Sequence, residues 1–125
     1  MLALVVDDDL RIRTYVRTIL KWENFETLEA EGGKQAIEIV HQLDGGLDLI
    51  ATDIQMPGGD GLTLARAVRE NYPAVPVLLI SGRGCPDPAF DYIEKPFDWM
   101  SLVNAVRRVV ASSPISQRPR LKRAG

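Results

Sequence analysis

The chain has 125 residues, 46% hydrophobic and 26% charged, which is the size and composition of one globular domain able to bury its own core. No apolar run approaches the roughly 18–20 residues of a membrane span, and Met1–Val6 runs into three aspartates with no basic stretch before it, so no signal peptide is read and the expected compartment is the cytoplasm. The net charge of -2 hides an asymmetry: Arg118, Arg120, Lys122 and Arg123 fall in 112–125, where no acid stands, so the body 1–111 is acidic and no specific nucleic-acid binding is expected.

In chain order, Leu2–Val6 is an apolar run that suits a strand buried on both faces. Asp9 is placed to cap a helix whose apolar face is Ile12, Tyr15, Val16, Ile19 and Leu20. Phe25–Ala30 reads as a second strand. Gly32-Gly33 breaks the chain before a helix marked by Ala36, Ile37, Val40 and Leu43, and Gly45-Gly46 ends it. Asp48–Asp53 is a third strand, and the loop from Pro57 to Gly61 leads to a helix marked by Leu64, Ala65 and Val68 that stops before Pro73. Val75–Ser81 is the most β-like run, Tyr92 and Ile93 sit in a short fifth strand, and Leu102, Val103, Val106 and Val110 stripe the last helix. Alternating strands and helices call for an α/β fold, a doubly wound parallel sheet joined by right-handed crossovers. Sites in such sheets lie at the carboxyl ends of the strands.

Those ends carry Asp7 and Asp8, Asp53, Ser81 and Lys95. Carboxylates gathered on one rim repel, at about 4 kcal/mol for two unit charges ~4 Å apart at an effective dielectric near 20. Their pKa values rise or a cation sits among them. Oxygen-only ligands favour Mg²⁺, held by Asp7, Asp8 and Asp53 with room left for phosphate oxygens. Asp53 is then the covalent nucleophile and Lys95 the partner of another phosphoryl oxygen.

Val5-Val6-Asp7-Asp8 with Arg13, the block Asp53-Ile54-Gln55-Met56-Pro57-Gly58-Gly59-Asp60-Gly61, Ser81, and Lys95-Pro96-Phe97 resemble the signature of bacterial response-regulator receiver domains over about residues 2–111. The resemblance implies a five-stranded sheet in the order 2-1-3-4-5 and phosphoryl transfer from a histidine kinase or histidine phosphotransfer protein to Asp53. It implies metal binding by Asp7, Asp8 and the backbone carbonyl of Gln55, a switch built from Ser81 and Tyr92, and a downstream protein partner. It implies a signalling module and not an enzyme with a substrate of its own. A receiver belonging to a hybrid histidine kinase is the alternative setting.

Only thirteen residues (82–94) separate Ser81 from Lys95, fewer than most members of the family use, and Gly82, Gly84, Pro86 and Pro88 crowd them. Proline costs about 3 kcal/mol and glycine about 1 inside a helix, so the family's fourth helix is expected to be missing or reduced to a turn. Blander roles are expected elsewhere: Asp60 and Gly61 for turning and capping, Met56 for packing, Arg13 for the helix surface, His41 and Cys85 for no chemistry. Segment 112–125 has the composition of a disordered tail. An aspartyl-phosphate hydrolase of the haloacid-dehalogenase type is discounted because Gln55 stands where a second acid is needed. A flavodoxin-like cofactor site is discounted because Asp7-Asp8-Asp9 would repel a phosphate.

Overall fold

The computed structural model describes residues 1–57 and 60–112. Gly58, Gly59 and the expected basic tail from residue 113 onward lie outside the described residues. The elements run β1 (Leu2–Val6), α1 (Leu10–Trp22), β2 (Glu26–Ala30), α2 (Gly33–Gln42), β3 (Leu49–Asp53), α3 (Gly61–Asn71), β4 (Val77–Ser81), β5 (Asp91–Glu94) and α4 (Trp99–Ala111). The strands form one parallel sheet in the order β2-β1-β3-β4-β5, as the resemblance implied.

Both faces are covered, and the period of two along each strand divides the core. Leu4, Val6, Ile50, Val77 and Leu79 face α2 and α3, while Ala3, Val5, Leu49, Ala51, Leu78 and Ile80 face α1 and α4. This explains why β1, β3 and β4 read as continuous apolar runs. Asp9, Asp60 and Asp98 cap α1, α3 and α4 by accepting backbone N–H groups of Arg11, Thr63 and Ser101.

Three sequence expectations shift. β4 begins at Val77 and not Val75, since Pro76 has no N–H to give the ladder, although its carbonyl accepts from Ile50 N–H. Tyr15 is exposed and tilts against Phe97 with ring centroids 5.8 Å apart. On α4, Val109 is buried and Val110 only packs against the cluster. The connection 82–90 contains no helix, so α4 stands where the family has its fifth. Phe90, buried at the end of that connection, joins the α2/α3 core, with Cys85 packed against it.

Candidate functional site

The turn after β1 carries the first two acids. Asp7 is 2% exposed. Its N–H donates to Ala30 O at 3.1 Å, and its Oδ1 accepts Asp9 N–H at 2.9 Å. Asp8 is exposed. Asp53 ends β3 and is 3% exposed. Asp7, Asp8 and Asp53 can each present one carboxylate oxygen within 4.8 Å of the others. Lys95, after β5, reaches both buried acids, with Nζ 3.4 Å from Asp7 Oδ2 and 3.3 Å from Asp53 Oδ2.

Burial pushes the Asp53 carboxyl above its ordinary range; the Lys95 charge pulls the other way, and the Asp8 charge adds to the rise. Burial also raises Asp7, against the Asp9 N–H, and the Asp53 charge adds to it. Burial alone would lower Lys95, but the two carboxylates outweigh it and its pKa rises. One ammonium thus serves two buried acids. Asp53 Oδ1 is buried with no hydrogen-bond partner among the described residues. A buried acceptor left unsatisfied costs about 1–3 kcal/mol, and a hard cation among three oxygen donors removes that cost. The residues present therefore fit Mg²⁺.

Ser81 is fully buried at the end of β4. Its Oγ donates to Gly84 O at 2.7 Å, and it accepts Arg83 N–H at 3.0 Å and Gln55 Nε2 at 3.3 Å. Its hydroxyl is thus already engaged with its own loop. Tyr92 lies on β5 beside Leu79, 39% exposed, with its hydroxyl near Gly84 and not among the carboxylates. Lys95–Pro96 is cis. His41, far from the acids in sequence, bonds Tyr72 through Nδ1 at 2.8 Å. A groove of about 720 Å³ between α1 and α4, lined by Leu10, Tyr15, Trp22 and Trp99, is almost wholly apolar and holds none of these groups.

Arg13 corrects the sequence reading. It is no surface residue: it is 7% exposed, with Nη1 donating to Asp7 O at 2.8 Å and Nε to Glu29 Oε1 at 3.1 Å. The signal was its place three before Val16 and seven before Leu20, on the buried stripe. Gly61 is also more than a turn residue. A Cβ there would overlap the carbonyl oxygen of Asp53, so glycine is what lets α3 start against the end of β3. Thr52 Oγ1 donates to the same carbonyl at 3.0 Å. The acid-to-glycine block is thus a packing unit: Asp60 Oδ1 accepts Thr63 N–H at 2.7 Å, Gly61 N–H donates to Ile54 O at 2.9 Å, and Met56 is buried in the core.

The sequence matches the family model of the response regulator receiver domain over residues 3–107. It is 36% identical over 115 residues to the transcriptional regulatory protein ResD of Bacillus subtilis (strain 168), covering 86% of this chain and 47% of ResD. The chain therefore spans about half the length of that curated relative. The crystal structure of the receiver domain from the hybrid histidine kinase CckA matches with a TM-score of 0.78 at 31% identity, over 88% of this chain and 99% of that one. That of a response regulator receiver protein from Sinorhizobium medicae WSM419 matches with a TM-score of 0.81 at 27% identity, over 90% and 95%. Sequence and fold agree along nearly the whole described chain, and it belongs to the response regulator receiver domain family of two-component signalling.

Proposed function

We propose that Asp53 accepts a phosphoryl group from a phosphohistidine donor, on a histidine kinase or a histidine phosphotransfer protein, and that the product changes the surface offered to a downstream protein. The observation that carries this is the Asp53 carboxylate itself: buried, ion-paired on one oxygen with Lys95 and, on the other, without a hydrogen-bond partner among the described residues. A carboxylate oxygen attacks phosphorus, the P–N bond breaks, and the electron pair returns to the imidazole of the donor, which takes up a proton. Asp7, Asp8, Asp53 and the Gln55 carbonyl would hold Mg²⁺, whose charge would neutralise the phosphoryl oxygens. Lys95 would pair with one of those oxygens.

For the switch, the phosphoryl group adds about -1.5 to -2 charges at Asp53. A charge-assisted hydrogen bond contributes on the order of 1.5–3 kcal/mol, against about 1 for a neutral one. Ser81 must give up its bond to Gly84 O, and Lys95 already holds two carboxylates. The net gain is therefore below the ~5.5 kcal/mol that takes a two-state equilibrium from 1:99 to 99:1. A resting equilibrium of about 1:99 would therefore be converted only in part, with Tyr92 following Ser81.

The module carries out no reaction beyond its own phosphorylation and dephosphorylation, works in the cytoplasm and binds no specific DNA sequence. Among the described residues no helix is long and apolar enough to cross a membrane. A place within a hybrid histidine kinase is the second reading, for which the helix-free connection 82–90 is the supporting observation. The deciding experiment is labelling by a small acyl-phosphate donor with Mg²⁺, read by intact and peptide mass spectrometry. One phosphoryl group on Asp53 is expected, absent in Asp53→Asn and in excess EDTA. A label on another residue, or full labelling in EDTA, would overturn the assignment.

A further inference from the structure

Arg13 is a guanidinium sealed inside the α1/β2 edge, where burying a charge is costly unless its donors are all spent. Two of its contacts go to acids of β2 and the segment after it: Glu29 at 3.1 Å and Glu31 at 3.9 Å. The third goes to the carbonyl of Asp7 at 2.8 Å. That carbonyl belongs to the peptide joining Asp7 to Asp8, so holding its plane holds the Asp8 Cα from which the carboxylate leaves the chain. Every other group of Asp7 is held by something else: its N–H by Ala30 O, its Oδ1 by Asp9 N–H and its Oδ2 by Lys95. Asp8 alone is exposed. Among these contacts, the one from Arg13 is what holds the peptide from which it springs.

Arg17, one helical turn on, supplies the internal contrast. It pairs with the same Glu29 at 2.7 Å and donates to Thr27 Oγ1 at 3.0 Å, but both contacts are to β2 side chains and not to the acid-bearing turn. If Glu29 pairing were all the fold required, Arg17 would satisfy it at 28% side-chain exposure, without a second cation buried to 8%. We propose that Arg13 is a positioning residue for the metal: it orients the Asp7–Asp8 peptide so that the Asp8 carboxylate converges with Asp7 and Asp53. This rests on the reading of those three acids as the Mg²⁺ ligands.

The test measures Mg²⁺ affinity by calorimetry, and melting in EDTA, on the wild-type protein and three variants. Outer partners of metal ligands typically cost 10–100-fold in affinity when removed, so Arg13→Met is expected to weaken Mg²⁺ by roughly tenfold or more. Arg13→Lys, with one donor group left for the carbonyl, is expected to recover part of it. Arg17→Met loses an ion pair to the same glutamate and is expected to keep Mg²⁺ affinity within about twofold, whatever it costs in melting temperature. Wild-type affinity in Arg13→Met, or an equal loss in Arg17→Met, would overturn the proposal while leaving the metal site standing. Absence of Mg²⁺ binding in the wild-type protein would overturn both. Should Arg13→Met fail to fold, Arg13→Lys decides: weaker than Arg17→Met supports positioning, equal to it refutes it.

Discussion

In the turn after β1, the Asp7 N–H, its carbonyl and both carboxylate oxygens each have a partner, drawn from β2, α1, its own turn and the residue after β5. In the connection after β4, the contacts are spread along the segment, each to a different partner. Ser81 bonds Arg83, Gly84 and Gln55 of the loop after β3, Asp87 bonds Ala89, and α3 reaches over with Arg66 to Asp87 at 3.2 Å and Arg69 to Ala89 O at 2.6 Å. The two segments border one rim. One is over-determined and suits a fixed ligand geometry, which a metal needs. The other is held by separate bonds that can be exchanged one at a time, which a switch needs. Fixed geometry and exchangeable contacts thus fall to different strands of the same sheet.

The largest expected effect separates them outright. Asp8→Ala abolishes Mg²⁺-dependent phosphorylation, whereas Ser81→Ala keeps Mg²⁺ affinity within about twofold and loses the response of residues 82–95. Two-dimensional NMR with beryllofluoride and Mg²⁺ reads both at once. If Ser81→Ala loses the metal as Asp8→Ala does, the division of labour between the two segments is wrong.

Gly61→Ala comes next. Its methyl group would strike the Asp53 carbonyl, where backbone and not a flexible side chain must give way. A loss of about 3 kcal/mol in urea unfolding is expected; a loss under about 0.5 kcal/mol would show that the β3 end yields as readily as the β4 connection.

Protonation distinguishes the two segments further. Asp53 and Asp7 have raised pKa values from burial, so the folded state holds their protons more tightly than the unfolded chain. Without metal, stability therefore rises as pH falls from neutral through their folded pKa values. The capping Asp60 and Asp98, lowered by the Thr63 and Ser101 N–H groups, act oppositely: their contribution is present above the unfolded value and is lost as pH falls through the folded one. A stability maximum on the acid side of neutral is expected in EDTA. Asp53→Asn removes one of two buried carboxylates that share Lys95, and should raise the EDTA melting midpoint by roughly 4 °C, equivalent to about 1 kcal/mol. A midpoint that falls instead would mean that the Lys95 pairing outweighs burial.

Much of this rim was legible because breakers and apolar runs locate strand ends, and Asp7, Asp8, Asp53, Ser81 and Lys95 all stand at them. The glycines and prolines between Ser81 and Lys95 announced the missing helix for the same reason: their cost is local and independent of packing. Arg13 was read wrongly and Gly61 only in part, because their roles depend on what crosses them from elsewhere in the chain. A charged residue on an apolar stripe looks like an interruption until Asp7 O and Glu29 are seen around it. A glycine without positive φ looks like a turn until a carbonyl is found where its Cβ would be.

The smallest effect tests the loose segment alone. The Arg69 guanidinium lies 4.0 Å from the centre of the Phe90 ring. Arg69→Ala should cost under about 1 kcal/mol of global stability, yet hydrogen exchange in residues 82–90 should quicken while residues 7–13 stay unchanged. Equal acceleration in both would mean that the two segments open together.

A crossover between parallel strands ordinarily takes a dozen or more residues, and here residues 82–90 make it. Closure entropy rises by only about 0.6 kcal/mol for each doubling of loop length, so lengthening this span is cheap for the chain as a polymer. What must be kept is Phe90, seated in the core shared by α2 and α3. A segment grafted between Gly82 and Ala89 leaves that anchor in place and folds outside the core. The sheet can therefore gain an element at this point, or pass between short and long forms over generations, without any of its five strands being rebuilt.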